Sequence, residues 1–449
     1  MIDRPPTPED LRGLLASADD QDFAAWFERQ HPHAIADQLS PLDDTSLWAA
    51  ILRLPGALGG EVFAHLDMER QTRLIGDADA AEAAEFLRHI AADDRADLIQ
   101  SLEHPARKRL LALADADIRD DIRRLASYDP GTAGAVMSTE VTTLRVDQTV
   151  DEAMRLLRSR GDRLETIYYN YVVDGQGKLL GTVSLRGLIL SDPATPISEL
   201  MGTDVVAARV DDPQEMVASL IREYDLLALP IVHGDHRLAG VVTVDDAIDV
   251  RDEEATEDFH RMACVTNLSV GMREAGIRLL YRKRAPWLFA LLFFNIFSGA
   301  IIASYEATFT AYASLVFFLT LLIDSGGNAG AQSATLMIRS LALGDVTVKD
   351  WSSLFVKEMA VALLLGLTMA VGVGFISSIR APDIIAVVLM TMVCTVFTCS
   401  LFGMLLPFLL TRLGLDPATA SGPLITSVAD ILGVLIYFGI ATWYLEIGV

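Results

Sequence analysis

Five mostly apolar stretches, near 286–304, 312–341, 354–378, 384–411 and 420–445, constrain this 449-residue chain more than any other feature. Each has about the 20 residues that a helix needs to cross a hydrocarbon core of ~30 Å. Lipid offers the backbone no hydrogen-bond partner, so such stretches are expected to cross as helices. The charges divide at the same place. Of 36 Lys/Arg and 60 Asp/Glu, residues 286–449 hold 5 and 9, leaving 31 and 51 for residues 1–285. The two parts carry net charges of −4 and −20, and all eight His lie in the first. An acidic soluble part is therefore joined to a part embedded in a lipid bilayer. Its sign excludes nucleic acid as a partner and favours cations.

Orientation follows from the basic residues. RKRAPW (282–287) stands just before the first span and places that end in the cytoplasm by the positive-inside rule. Five crossings then leave Arg339, Lys349, Lys357 and Arg412 inside, Arg380 outside, and the C-terminus outside. The opening MIDRPPTPEDLRG has neither the basic nor the apolar region of a secretory signal, so a cytoplasmic N-terminus is expected. Cys264, Cys394 and Cys399 have neither metal-site nor disulfide-framework spacing.

The soluble part changes character near residue 129. Before it, segments such as GEVFAHLDMERQTRLIG and AAEAAEFLRHIAADDRADLIQSL place apolar residues three and four apart, with Asp and Pro at their starts. They predict a small right-angled or superhelical α-domain. After it, IYYNYVVD (167–174), KLLGTVSL (178–185), LALPIVHG (227–234) and RLAGVVTV (237–244) read as strands. VDEAMRLLRSR (150–160) and PQEMVASLIREYD (213–225) read as helices before them. The order occurs twice, ending in GTVSLRGLI (181–189) and GVVTVDDAI (240–248). Such a repeat resembles a tandem pair of cystathionine-β-synthase-type (CBS) modules, a regulatory fold often responsive to nucleotides or ions. RDEEATEDFHRM (251–262) then predicts a strongly acidic helix leading to the membrane.

Two acids lie well inside spans, away from their ends, where a charge costs about 2.5–3.5 kcal/mol on insertion scales. Asp430 sits in GPLITSVADILGVLIYFG (422–439) without a basic residue in the same span, and Asp324 opens DSGGNAGAQS (324–333). A water-filled path carrying a cation removes that cost, while a protonated carboxyl bonding between helices is the bland explanation. The glycines let helices approach and can bare backbone carbonyls to a pore, with Asn328 and Gln332 as further oxygen donors. Simple small-residue packing, through Gly326 and Gly330 or Gly327 and Ala331, fits the same pattern.

DSGGNAGAQSATLMIRSLALGDV, MLLPFLLTRLGLDPATASGPLITSVADILGVLIYF and the EEATEDFHRM helix resemble the MgtE family of Mg²⁺ channels, and so does the order of domains. The resemblance implies a multidomain integral membrane protein with an all-α superhelical N domain (1–128) and an α/β tandem CBS pair (129–250). A linking plug helix (251–283) and a membrane domain of five transmembrane helices (284–449) complete it. It also implies a homodimer in the plasma or inner membrane, not an enzyme, with one pore between the two membrane domains. Mg²⁺ is expected as both substrate and regulatory ligand, importing down its gradient and closing the pore from the cytosol. Carried over by position, Asp430 resembles the pore carboxylate, with Gly327, Asn328 and Asp324 beside it. Asp93, Asp97, Asp225, Asp246, Asp249, Glu254, Glu257, Asp258 and Asp416 resemble the acids of the Mg²⁺ sensor.

The chain departs from the family pattern in places. Asp324 stands where relatives often have a small neutral residue, and Ala331 where some have Asn. Gly187 replaces the Asp that would hold a nucleotide ribose, and Leu226 an aromatic that could stack on adenine, which disfavours ATP as a ligand. The alternatives are a carrier or exporter of Mg²⁺, Co²⁺ or another divalent ion, and a CBS-bearing signalling protein with a membrane anchor. An anchor has no need for Asp430 or the Gly-rich stretch.

Overall fold

A computed structural model describes residues 13, 15, 20–27, 30–161, 164–266, 275–342 and 345–446. Residues 1–12, where the signal-free start was read, lie outside the described residues, as do 267–274 of the expected linking segment and 447–449 at the C-terminus. The chain divides into two compact units, Met1–Glu253 and Glu254–Val449.

The first unit begins with nine short helices among its described residues, from α1 (Asp20–Phe27) to α9 (Ala116–Leu125). Acids start several of them, because a carboxylate accepts the N–H groups that a helix leaves unpaired. Asp43 accepts from Ser46, Asp67 from Arg70, and Asp79 from Ala81 and Glu82. The apolar faces close over one core that includes Phe23, Phe27, Leu47, Ile51, Phe63 and Phe86. Trp48 meets Phe86 edge-on at 5.1 Å between ring centres.

Two copies of one α/β motif follow. β1 (Thr143–Arg145) crosses through α10 (Val150–Arg160) to the parallel β2 (Tyr169–Val173), which pairs antiparallel with β3 (Leu179–Ser184). Two short helices, α11 (Leu185–Leu190) and α12 (Ile197–Leu200), connect to the second copy. There β4 (Ala208–Arg209), α13 (Gln214–Glu223), β5 (Ala228–Val232) and β6 (Leu238–Thr243) repeat the order and the pairing. The sequence pattern showed the helix and strand pair of each copy but missed β1 and β4. Strands of two or three residues are too short to display an alternation. The acidic helix also differs from its expected start at 251, since α14 (Val244–Met262) begins directly after β6. The Thr243 hydroxyl and N–H donate to Asp246 Oδ2 at 2.6 and 3.3 Å, which secures that first turn.

Among its described residues the second unit holds five helices long and apolar enough to cross a membrane. They are α15 (Ile277–Ser304), α17 (Ser314–Ala342), α18 (Trp351–Arg380), α19 (Ile385–Arg412) and α20 (Gly422–Tyr444), with a short α16 (Glu306–Ala311) after the first. α15 starts before the expected 286, so the basic RKRA residues and Pro286 lie within it. Long basic side chains reach water while their stems lie along the helix, so charge does not end it there. α17 and α18 both pack on α19; α17 also packs on α20, and α15 rests on α20. Small residues set the closeness of α17 and α19. A Cβ on Gly330 would lie 2.8 Å from the Cys399 carbonyl oxygen, and one on Gly403 would collide with the Gly330 carbonyl.

Candidate functional site

Two acidic sites emerge, one in each unit. In the first unit, α7 (Ala92–Ser101) places Asp93 and Asp94 in its first turn and Asp97 one turn on. α14 places Asp245 and Asp246 in its first turn, followed by Asp249. Both helices favour acids there, because unpaired N–H groups gather positive potential at a helix start. Ala92 and Ala96 pack in one apolar core with Ala247 and Val250, which brings the two acidic helix starts together.

The carboxylates respond to that crowding. Asp93 is only 8% exposed, and its Oδ1 is buried without a hydrogen-bond partner. Burial, then Asp246, Asp94 and Glu165, push its pKa well above the carboxylate range. Burial and then neighbouring acids, Asp246 most strongly, raise Asp94 to about 6. Asp97 reaches solvent at the edge, yet desolvation and Glu253 still raise it to about 6. Burial likewise lifts Asp246 to about 6 and, with Asp246 beside it, Glu165 to about 7. The buried Arg95 is turned elsewhere: its guanidinium donates to the Leu87 and Ile90 carbonyls, Asp121 and Glu140.

This site joins four of the expected sensor residues, Asp93, Asp97, Asp246 and Asp249. It adds Asp94, Glu165, Asp245 and Glu253. Asp94 and Glu253 could have been taken from their acidic runs; Glu165, in a loop far along the chain, carries no signal in the sequence. Asp225 stands apart, exposed after α13 in a left-handed turn (φ 50°). Glu254, Glu257 and Asp258 continue α14 into the second unit. Among the described residues, no three His, Cys, Asp or Glu side chains converge as direct metal ligands. An all-oxygen, partly orphaned acid set at longer range suits a hard cation that keeps its water shell, as Mg²⁺ does.

In the second unit, Asp430 is half-buried on α20 and Asp324 is exposed on α17. Asn328 Nδ2 donates to Asp324 Oδ2 at 3.2 Å. A Cβ on Gly327 would touch Thr426 Cγ2 of α20 at 3.2 Å, so Gly327 lies at the helix contact beside the acids. Asp416 caps the turn before α20, its Oδ1 accepting from the Ala418 N–H at 2.7 Å. Its other oxygen pairs with Arg261, which also pairs with Glu257, so an arginine the sequence did not single out holds two expected sensor acids. Nearby, Cys264 Sγ and Ser421 Oγ, the N-cap of α20, share a 2.8 Å hydrogen bond. Gly187 N donates to Ser184 Oγ, and Leu226 packs against the core that holds β4 to β6.

A five-helix membrane bundle with internal acids, carried on the same chain as a helical domain and a CBS pair, defines a CBS-regulated membrane transporter. Comparison with known proteins agrees. The family models "MgtE intracellular N domain", "CBS domain" and "Divalent cation transporter" match residues 30–131, 133–192 with 197–253, and 319–440. The magnesium transporter MgtE of Thermus thermophilus is 39% identical over 440 residues, covering 97% of this chain and 98% of that protein. That of Enterococcus faecalis is 38% identical over 330 residues, 73% and 72% of the two chains. The crystal structure of the soluble part of a magnesium transporter aligns with a TM-score of 0.52 at 34% identity, covering 55% of this chain and 96% of that one. The chain belongs to the MgtE family.

Proposed function

We propose that this protein is a homodimeric Mg²⁺ channel of the plasma or inner membrane, with its N-terminus in the cytoplasm and its C-terminus outside. It imports Mg²⁺ down the electrochemical gradient and closes when cytosolic Mg²⁺ is high. The observation that carries the channel is Asp430, an acid at the contact of two membrane helices beside the Gly-rich segment of α17. A hydrated ion needs a wide, oxygen-lined passage, which small residues, Asn328 and carboxylates provide. Asp430 is the main charge, with Gly327, Asn328 and Asp324 lining the path.

Closure belongs to the acids of α7 and α14. Asp93, Asp97, Asp246 and Asp249 would hold the regulatory ion through its waters. When bound there, Mg²⁺ supplies positive charge between carboxylates that otherwise repel. The arrangement that brings the two helix starts together is disfavoured by their repulsion, so the open–closed balance follows the ion. Asp225, Glu254, Glu257, Asp258 and Asp416 extend the sensor, and α14 transmits its state to the membrane part. ATP has no role in the proposal, given Gly187 and Leu226.

The test is Mg²⁺ flux into proteoliposomes at low and high Mg²⁺ on the cytosolic face, beside Asp430→Ala. Flux suppressed by high Mg²⁺ and abolished by the substitution is expected. Equal flux from the variant removes Asp430 from the ion path. Flux that saturates and is coupled to a second ion makes the protein a carrier.

A further inference from the structure

We propose that Asp324 is the second carboxylate of the ion site and that, by facing Asp430, it sets how tightly the pore holds a divalent cation. The proposal rests on the pore described above and deepens it. The helix contacts define the register. A Cβ on Gly433 would meet Ile323, one on Gly327 would meet Thr426, and one on Gly330 would meet Ile425. Rising numbers on α17 thus match falling numbers on α20, and the two helices run antiparallel. Asp324 follows Ile323, and Asp430 lies between Thr426 and Gly433. Both carboxylates therefore fall in one layer.

That layer is polar on a third helix too. Thr395 of α19 sets its methyl group against Gly326 and Gly433, while its Oγ1 is fully buried with no hydrogen-bond partner. A buried hydroxyl of this kind is ordinarily satisfied by a water or an ion. Asn328 keeps its amide on Asp324, one turn along α17. Two like charges at one depth of a membrane are relieved by a proton on one of them or by a cation between them, and a conducting pore supplies the cation. Coulomb attraction scales with the product of charges, so losing one carboxylate weakens a divalent ion's hold twice as much as a monovalent ion's. Asp324 is thus a specificity-determining residue, while conduction itself depends on Asp430.

The experiment measures Mg²⁺ flux against Mg²⁺ concentration, with and without competing Na⁺, for the full-length protein in proteoliposomes. Asp324→Asn and Asp324→Ser should raise the half-saturating Mg²⁺ concentration on the order of tenfold and let Na⁺ compete better. Asp324→Glu should stay close to the parent. Size-exclusion elution and thermal unfolding check each variant's fold. An unchanged half-saturation and Na⁺ competition in both neutral variants, while Asp430→Asn abolishes flux, overturns the proposal. Loss of all flux in both natively eluting neutral variants also overturns it, because Asp324 would then be required for conduction itself, as Asp430 is. Flux surviving in Asp430→Asn defeats the pore assignment itself and the proposal with it, and so is told apart from the first result.

Discussion

The two acidic sites face the same electrostatic problem with different means. In the soluble unit, carboxylates crowd two helix starts, and burial shifts the proton affinities of Asp93, Asp94, Asp97, Glu165, Asp246 and Asp249 upward. In the membrane unit, two carboxylates share a layer of glycine and threonine, with one amide as neighbour. Many acids beside water can share repulsion and release it to protons or ions. A few acids in an apolar bundle gain only from an ion within reach. The first arrangement suits a sensor whose balance shifts gradually, and the second suits a passage where each charge counts.

That contrast can be broken most decisively at Asp430. Its replacement by Asn should lower flux at least a hundredfold without changing the unfolding temperature of the soluble unit. Survival of flux would erase the distinction between the sites.

Next in size is the sensor. Asp93→Asn with Asp246→Asn should raise the cytosolic Mg²⁺ needed for half-closure about tenfold while leaving flux at low Mg²⁺ unchanged. Asp225→Asn, outside the crowded seam, should shift it less than about twofold. An equal shift from both would put Asp225 back at the regulatory ion.

A pH titration sharpens the comparison further. Asp94, Asp97 and Asp246, raised to about 6, and Glu165, raised to about 7, favour their protonated forms when folded. Their stabilising contribution is complete below the unfolded carboxylate range and is lost as pH rises through those values. Without divalent ions, the soluble unit should unfold several degrees lower at about pH 8 than at about pH 5. Mg²⁺ should restore more at the higher pH, and a flat profile would refute the crowding.

Smaller effects test the surroundings of each site. Gly403→Ala drives a methyl group into the Gly330 carbonyl and should destabilise the membrane unit by about 1–3 kcal/mol, seen as a lower unfolding temperature in detergent. Arg261→Gln removes a partly exposed pair and should cost about 0–1 kcal/mol, with a modest change in closure as its readout.

Much of this was open to inspection in the chain itself. Spans, the CBS repeat and the acidic helix follow from hydrophobic period, turn residues and charge, which act over neighbouring positions. The opposed acids Asp93 and Asp246 were within reach only through family resemblance, and Glu165 was not within reach at all. Its loop meets α7 and α14 through packing that no local pattern encodes. The sequence by itself determined that carboxylates would enter the membrane, because Asp324 and Asp430 sit in spans that lipid requires to be helical. Only the tertiary structure decided that they share a layer. Glycine contacts between α17 and α20 set that register, and such contacts depend on which distant residues leave room for one another.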